Sequence, residues 1–357
     1  MKRMKVSGFP LLVIARLALS VAAPAQPGQL TNYQQIATVS IPGGLAGFDI
    51  SWVDSANEKF YLADRTATKG TGRIDVIDTR TNTFLYAIPQ TKGEVGFVGN
   101  AGPGISGPNG VVAIPQINQL YVGDGDSSVK VVDLTAKAVV SVIPTGGKFR
   151  ADELAYDPVD RIIMITNPND SPPFLTFIST DTQAVLGHLF YPASQSGLEQ
   201  PVWDGQTKMF LISIPGTSSF LGAVDVIDPV AMQATNRIYL SCSPAGLALG
   251  PLQRVMTSCG QVIDARNGNR LADSNAIWTV YLNAIPIGGD EIWFNPGDNR
   301  YYFGSANVGV VDAETNRTLG FLATGVPTHS IAVDSQNNHI FVPATGIGVE
   351  VFAQTGP

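Results

Sequence analysis

The stretch Val310-Val311-Asp312-Ala313-Glu314-Thr315-Asn316-Arg317-Thr318-Leu319-Gly320-Phe321-Leu322 decides the fold. It reads as an apolar strand ending in aspartate, then a polar turn, then a second strand. The same order begins at Val76-Ile77-Asp78, where Thr79-Arg80-Thr81-Asn82 leads into Thr83 to Ile88. Shorter echoes stand at Val131-Val132-Asp133, Val226-Ile227-Asp228 and Val262-Ile263-Asp264. A supersecondary unit returning every ~40–50 residues marks a repeat architecture. The aspartate that recurs at the same turn is structural, because its carboxylate satisfies turn amides.

Each unit continues into two more strands, as in Ser330 to Asp334, the turn Ser335 to Asn338, and His339 to Pro343. The pattern returns at Asp49 to Asp54 with Lys59 to Ala63, at Gly110 to Ile114 with Gln119 to Val122, and at Leu154 to Asp157 with Arg161 to Thr166. It returns again at Pro201 to Asp204 with Lys208 to Ile212, at Gly246 to Leu249 with Arg254 to Ser258, and at Ile292 to Asn295 with Arg300 to Phe303. Alternating apolar positions and β-branched residues make these strands. Seven units of four short strands predict an all-β fold, a single seven-bladed β-propeller. Ile36 to Pro42 is a strand with no unit before it, and the last unit stops one strand short at Gly348 to Phe352. Pairing the two would close the ring and hide both sheet edges.

The tail from Val310-Val311-Asp312 through Thr318-Leu319, His329-Ser330-Ile331-Ala332-Val333 and His339-Ile340-Phe341-Val342 resembles the bacterial YVTN-type β-propeller repeat family. At repeat level the resemblance runs over Tyr33 to Phe352, with blades 3 and 5 the most degenerate. It implies the propeller fold, with lactonase-like and surface-layer-type members among its relatives, and it implies that a histidine at the His329 position can be scaffold. It does not specify an activity, since one fold carries many functions.

The 37 glycines and 24 prolines suit a turn-dense β protein. A net charge of −7 without a basic run argues against nucleic acid as a partner. No segment after the leader is apolar enough to span a membrane. Residues 1–25 read as a signal peptide, with Lys2, Arg3 and Lys5, an apolar Phe9 to Ala23, and Ala23-Pro24-Ala25 at the cleavage point. Residues 26–32 read as a flexible lead-in and 33–357 as the propeller, a secreted or periplasmic monomer. The two cysteines, Cys242 and Cys259, fall on blade links expected on one rim. A disulfide there is expected, closing a loop worth roughly 3 kcal/mol.

Convergent chemistry is expected where the innermost strands begin. The residue before the apolar core of each is Asp49, Asn109, Asp152, Glu199, Ala245, Asp290 or His329, with Glu153, Gln200 and Glu291 next in line. Three readings stay open. Asp49, Asn109, Asp152, Glu199 and Asp290 could hold a divalent cation such as Ca²⁺, making a metal-assisted, lactonase-like hydrolase. Asp152, Glu199, Asp290 and His329 are the candidate catalytic residues; without metal, the pairs Asp152/Glu153 and Asp290/Glu291 could serve as general acid and base of a lyase, an isomerase or a glycoside-active enzyme. A non-catalytic binding propeller, or local turn and water binding, is the third. The enzymatic readings and the binding propeller place a small-molecule ligand or a partner at the axial mouth. No nucleotide cofactor is expected, because the glycine-rich Gly93 to Gly110 lacks the dinucleotide pattern and a following helix. That insertion is expected either as a lid or mouth wall or as an ordinary long surface loop, and Arg65 to Gly72, Asn167 to Phe174 and Pro215 to Gly222 are further loops expected on the same rim.

Overall fold

The computed structural model describes residues 28–195, 197–264, 279–282 and 289–355. The expected leader, residues 1–25, lies outside them. Seven antiparallel four-stranded sheets follow one another along the chain, the first six each built from consecutive strands. Their innermost strands touch in cyclic order, and that of blade 7 returns to that of blade 1. These strands are Phe48–Asp54, Val111–Ile114, Leu154–Asp157, Pro201–Asp204, Leu247–Leu249, Ile292–Asn295 and Ala332–Val333. The seventh sheet is completed by the N-terminal strand Tyr33–Val39, which pairs antiparallel with Gly348–Gln354. The expected closure is therefore the observed one, and it leaves no open blade.

The triad explains how the five blades that carry it turn locally. Asp78 Oδ1 accepts the Thr81 N–H at 2.8 Å, Asp133 Oδ1 the Ala136 N–H at 2.7 Å, and Asp312 Oδ1 the Thr315 N–H at 2.8 Å. Four residues beyond three of these aspartates the chain turns left-handed, at Asn82, Lys137 and Asn316. Asparagine tolerates that conformation better than most side chains. A bulge then resets the register in the outer strand pair, as between Val76 and Ile77.

Between blades the interior is packed radially. Phe60 of blade 1 stacks on Phe341 of blade 7 with ring centroids 5.1 Å apart. Cys242 and Cys259 are joined across one rim of blade 5, with Cα atoms 5.9 Å apart. The lead-in departs from expectation at its end. Leu30 N–H donates to Phe321 O at 2.9 Å, so Gly28 to Leu30 run beside the outer strand of blade 6. The glycine-rich insertion is pinned to the loop beside it: a side chain on Gly99 would meet Thr68 O at 2.3 Å.

Candidate functional site

The innermost strands start at the channel mouth, so the residues just before them share one rim. Asp49 is 8% exposed, Asp152 2% and Asn109 fully enclosed. Glu199 is half-buried and Asp290 is open to solvent. Ala245 interrupts the polar ring in blade 5. His339 and His188 stand elsewhere, against the carbonyls of Thr79 and Thr145.

Two arginines organise the rim, and the sequence reading had assigned neither. Arg65, directly after the second strand of blade 1, reaches Asp49 Oδ2 and Asn109 Oδ1, each at 2.5 Å from Nη2. Arg150 reaches Asp152 Oδ2 at 2.7 Å. Asn109 completes its bonding by donating to Ala151 O at 2.8 Å. The other Asp49 oxygen lies 3.6 Å from His329 Nε2, and the His329 ring stacks on Phe48 at 4.5 Å. A signal for Arg150 existed: it precedes Asp152 by two residues, which puts both on one side of an extended segment.

The acids divide by environment. Burial would raise Asp49, but Arg65, with His329 and Arg150, outweighs it and holds the carboxyl below its usual range. Burial pushes Asp152 up to about 7, because Asp49 and Asp290 oppose the help of Arg150. Burial and the charges of Asp152 and Asp290 push Glu199 up to about 8. His329 is raised: partial burial works against its charge, but Asp49 and Asp290 favour it. One ionised carboxylate thus stands among carboxyls that keep protons near neutrality, the juxtaposition that acid–base chemistry uses.

Of the oxygens suggested as metal ligands, those of Asp49, Asn109 and Asp152 face these guanidinium groups. Among the described residues no group of three or more His, Cys, Asp or Glu side chains is disposed to hold a metal ion.

Below the rim lies a cavity of about 610 Å³ inside the channel. Trp52, Trp203, Trp293, Phe294 and Tyr156 form its aromatic wall, and Glu153, Gln200 and Glu291 line it as well. Trp52 and Trp293 meet edge to face at 5.2 Å although blade 7 separates their strands. At their level blade 7 carries Ala332, whose small side chain leaves room. The same strand alignment that found the acids holds these aromatics three and four positions on, so they were legible but unread.

No family model matches the chain, and no curated protein matches it. Among solved structures it is similar to Kuenenia stuttgartiensis hydrazine synthase at 13% identity, covering 92% of this chain and 99% of that chain with a TM-score of 0.66. It is also similar to a chain of a mitotic checkpoint complex at 11% identity, covering 99% of each with a TM-score of 0.64. Likeness at this level speaks to architecture alone. Fold and site together define a seven-bladed β-propeller whose acidic mouth is braced by two arginines above an aromatic channel.

Proposed function

We propose that this propeller takes a small organic molecule into the axial channel and moves a proton on it at the mouth, as a lyase or isomerase does. The observation that carries this reading is the Arg65–Asp49–His329 cluster beside the Arg150–Asp152 pair. Asp49, kept ionised, is the base, and Asp152 and Glu199 are the protonated partners. Cofactor chemistry is not needed for such a transfer, because the enclosed mouth itself sets the protonation states apart. The YVTN-type repeat relationship is part of this proposal, resting on Val310 to Leu322. The lactonase-like alternative requires a divalent cation to displace Arg65 or Arg150 from its carboxylate.

The test is proton exchange in deuterium oxide, followed by NMR over a panel of small carbonyl compounds and amines. Exchange that persists with a chelator and disappears in Asp49→Asn and Glu199→Gln is the expected result. Turnover of a lactone that vanishes with the chelator would establish the metal-assisted route instead. Ligand binding at the axis with no exchange at all would leave a non-catalytic binding propeller.

A further inference from the structure

One level below the rim, neighbouring blades are clasped by a repeated contact. The side chain at this level accepts the backbone N–H one level further on in the next blade. Ser330 Oγ of blade 7 accepts from Ser51 N–H of blade 1 at 2.8 Å. Gln200 Oε1 of blade 4 accepts from Leu247 N–H of blade 5 at 2.8 Å. Glu291 Oε2 of blade 6 accepts from Ile331 N–H of blade 7 at 3.0 Å, and from Ser330 Oγ at 2.5 Å.

Glu153 is the counterpart in blade 3, but the position it should reach in blade 4 is Pro201. Proline has no N–H, and it is tolerated there because an innermost strand is a sheet edge. Glu153 is consequently 8% exposed, lines the cavity, and has a buried Oε2 with no hydrogen-bond partner. A buried acceptor left in this state is expensive unless something supplies the missing donor.

The surroundings indicate what that donor is. Glu199, Asp152, Asp290 and Glu291 all act on Glu153 as like charges. Arg150, which feels the charge of Glu153, is already paired with Asp152. The cavity wall is aromatic, and ring faces attract organic cations. A strongly hydrated metal ion would gain little from such a wall, whereas a protonated amine with an apolar body matches both the carboxyl and the rings.

We infer that Glu153 is the counter-ion of a ligand-binding site in the channel, and that the ligand is an organic ammonium whose hydrocarbon or aromatic body lies between Trp52, Trp203 and Trp293. This rests on the channel reading above and names its substrate class.

The test compares phenethylamine with its neutral counterpart 2-phenylethanol by calorimetry, using the whole protein. The wild type should bind the amine about tenfold or more tightly than the alcohol, a difference of ~1.4 kcal/mol. Glu153→Gln should bind both alike. Pro201→Ala restores the missing N–H, so it should weaken amine binding severalfold while leaving alcohol binding in place. Circular dichroism confirms the fold of each variant, and Pro201→Ala decides the matter if Glu153→Gln does not fold. Equal binding of amine and alcohol by the wild type, or an amine preference that survives both substitutions, would overturn the Glu153 assignment while leaving the channel as a binding site. Binding of neither compound by the wild type would defeat the channel reading itself.

Discussion

Asp152-Glu153 of blade 3 and Asp290-Glu291 of blade 6 are the same dipeptide at the same level of the fold, yet they are opposites in the tertiary structure. In blade 3 the aspartate is buried and paired with Arg150, while the glutamate has no donor for its buried Oε2. In blade 6 the aspartate is open to solvent, and the glutamate is 2% exposed and bonded to Ser330 and Ile331. One residue in the following blade accounts for the glutamates: Ile331 offers an N–H where Pro201 cannot. The comparison teaches that a repeat position acquires its role from the neighbouring blade, not from its own.

The comparison can be strained hardest with pH. Glu291 and Glu199 are raised to about 8 and Asp152 to about 7, all chiefly by burial. The folded chain therefore keeps protons that the unfolded chain releases. Stability is full below the ordinary carboxylate range and is lost as pH rises through about 7 to 8. Each such group contributes a slope of at most ~1.4 kcal/mol per pH unit. Thermal melts between pH 5 and pH 9 should show the midpoint falling, and a flat or rising profile would break the account of the mouth.

Next in size is Arg150→Met, which strands Asp152 without its cation. Breaking a buried pair in this way costs about 3 kcal/mol. Urea titrations should find that loss at pH 8.5 and a smaller one at pH 5.5, where Asp152 carries a proton. An equal loss at both would mean that Arg150 acts by packing.

Glu291→Leu leaves the Ile331 N–H without its acceptor and the Ser330 hydroxyl with Ser51 Oγ alone, at a cost of about 2 kcal/mol. Glu153→Leu removes no such bond and should change the urea midpoint much less. Should the two substitutions cost the same, the distinction between the blades is lost.

The smallest effect sharpens the contrast most. Glu153→Gln removes a buried, crowded acid that has no donor, so it should raise the melting temperature by ~1–2 °C at pH 8. Glu291→Gln retains an acceptor for Ile331 and should leave the midpoint nearly unmoved. Differential scanning calorimetry on the pair would settle which carboxylate the fold itself requires.

Much of this was legible because a propeller is quasi-repetitive. The Asp triads gave the repeat, the seven pairs of inner strands gave the blade count, and the orphan strand at Ile36 gave the closure. Aligning the innermost strands brought Asp49, Asn109, Asp152, Glu199, Asp290 and His329 to one rim. What the alignment left out was the cations. Six polar residues on a ring say nothing of the cations beside them, and Arg65 arrives from a loop at the end of another strand.

The sequence by itself determined the strand order, the turn aspartates, the cysteine pair and the rim on which the acids stand. These follow from local periodicity and from hydrogen bonds a few residues long, and each blade repeats them. Only the tertiary structure decided which carboxylate is ionised, which is clasped and which is left facing the channel. Those outcomes depend on distances between blades, where a guanidinium at 2.5 Å or a missing N–H outweighs any preference of the residue itself.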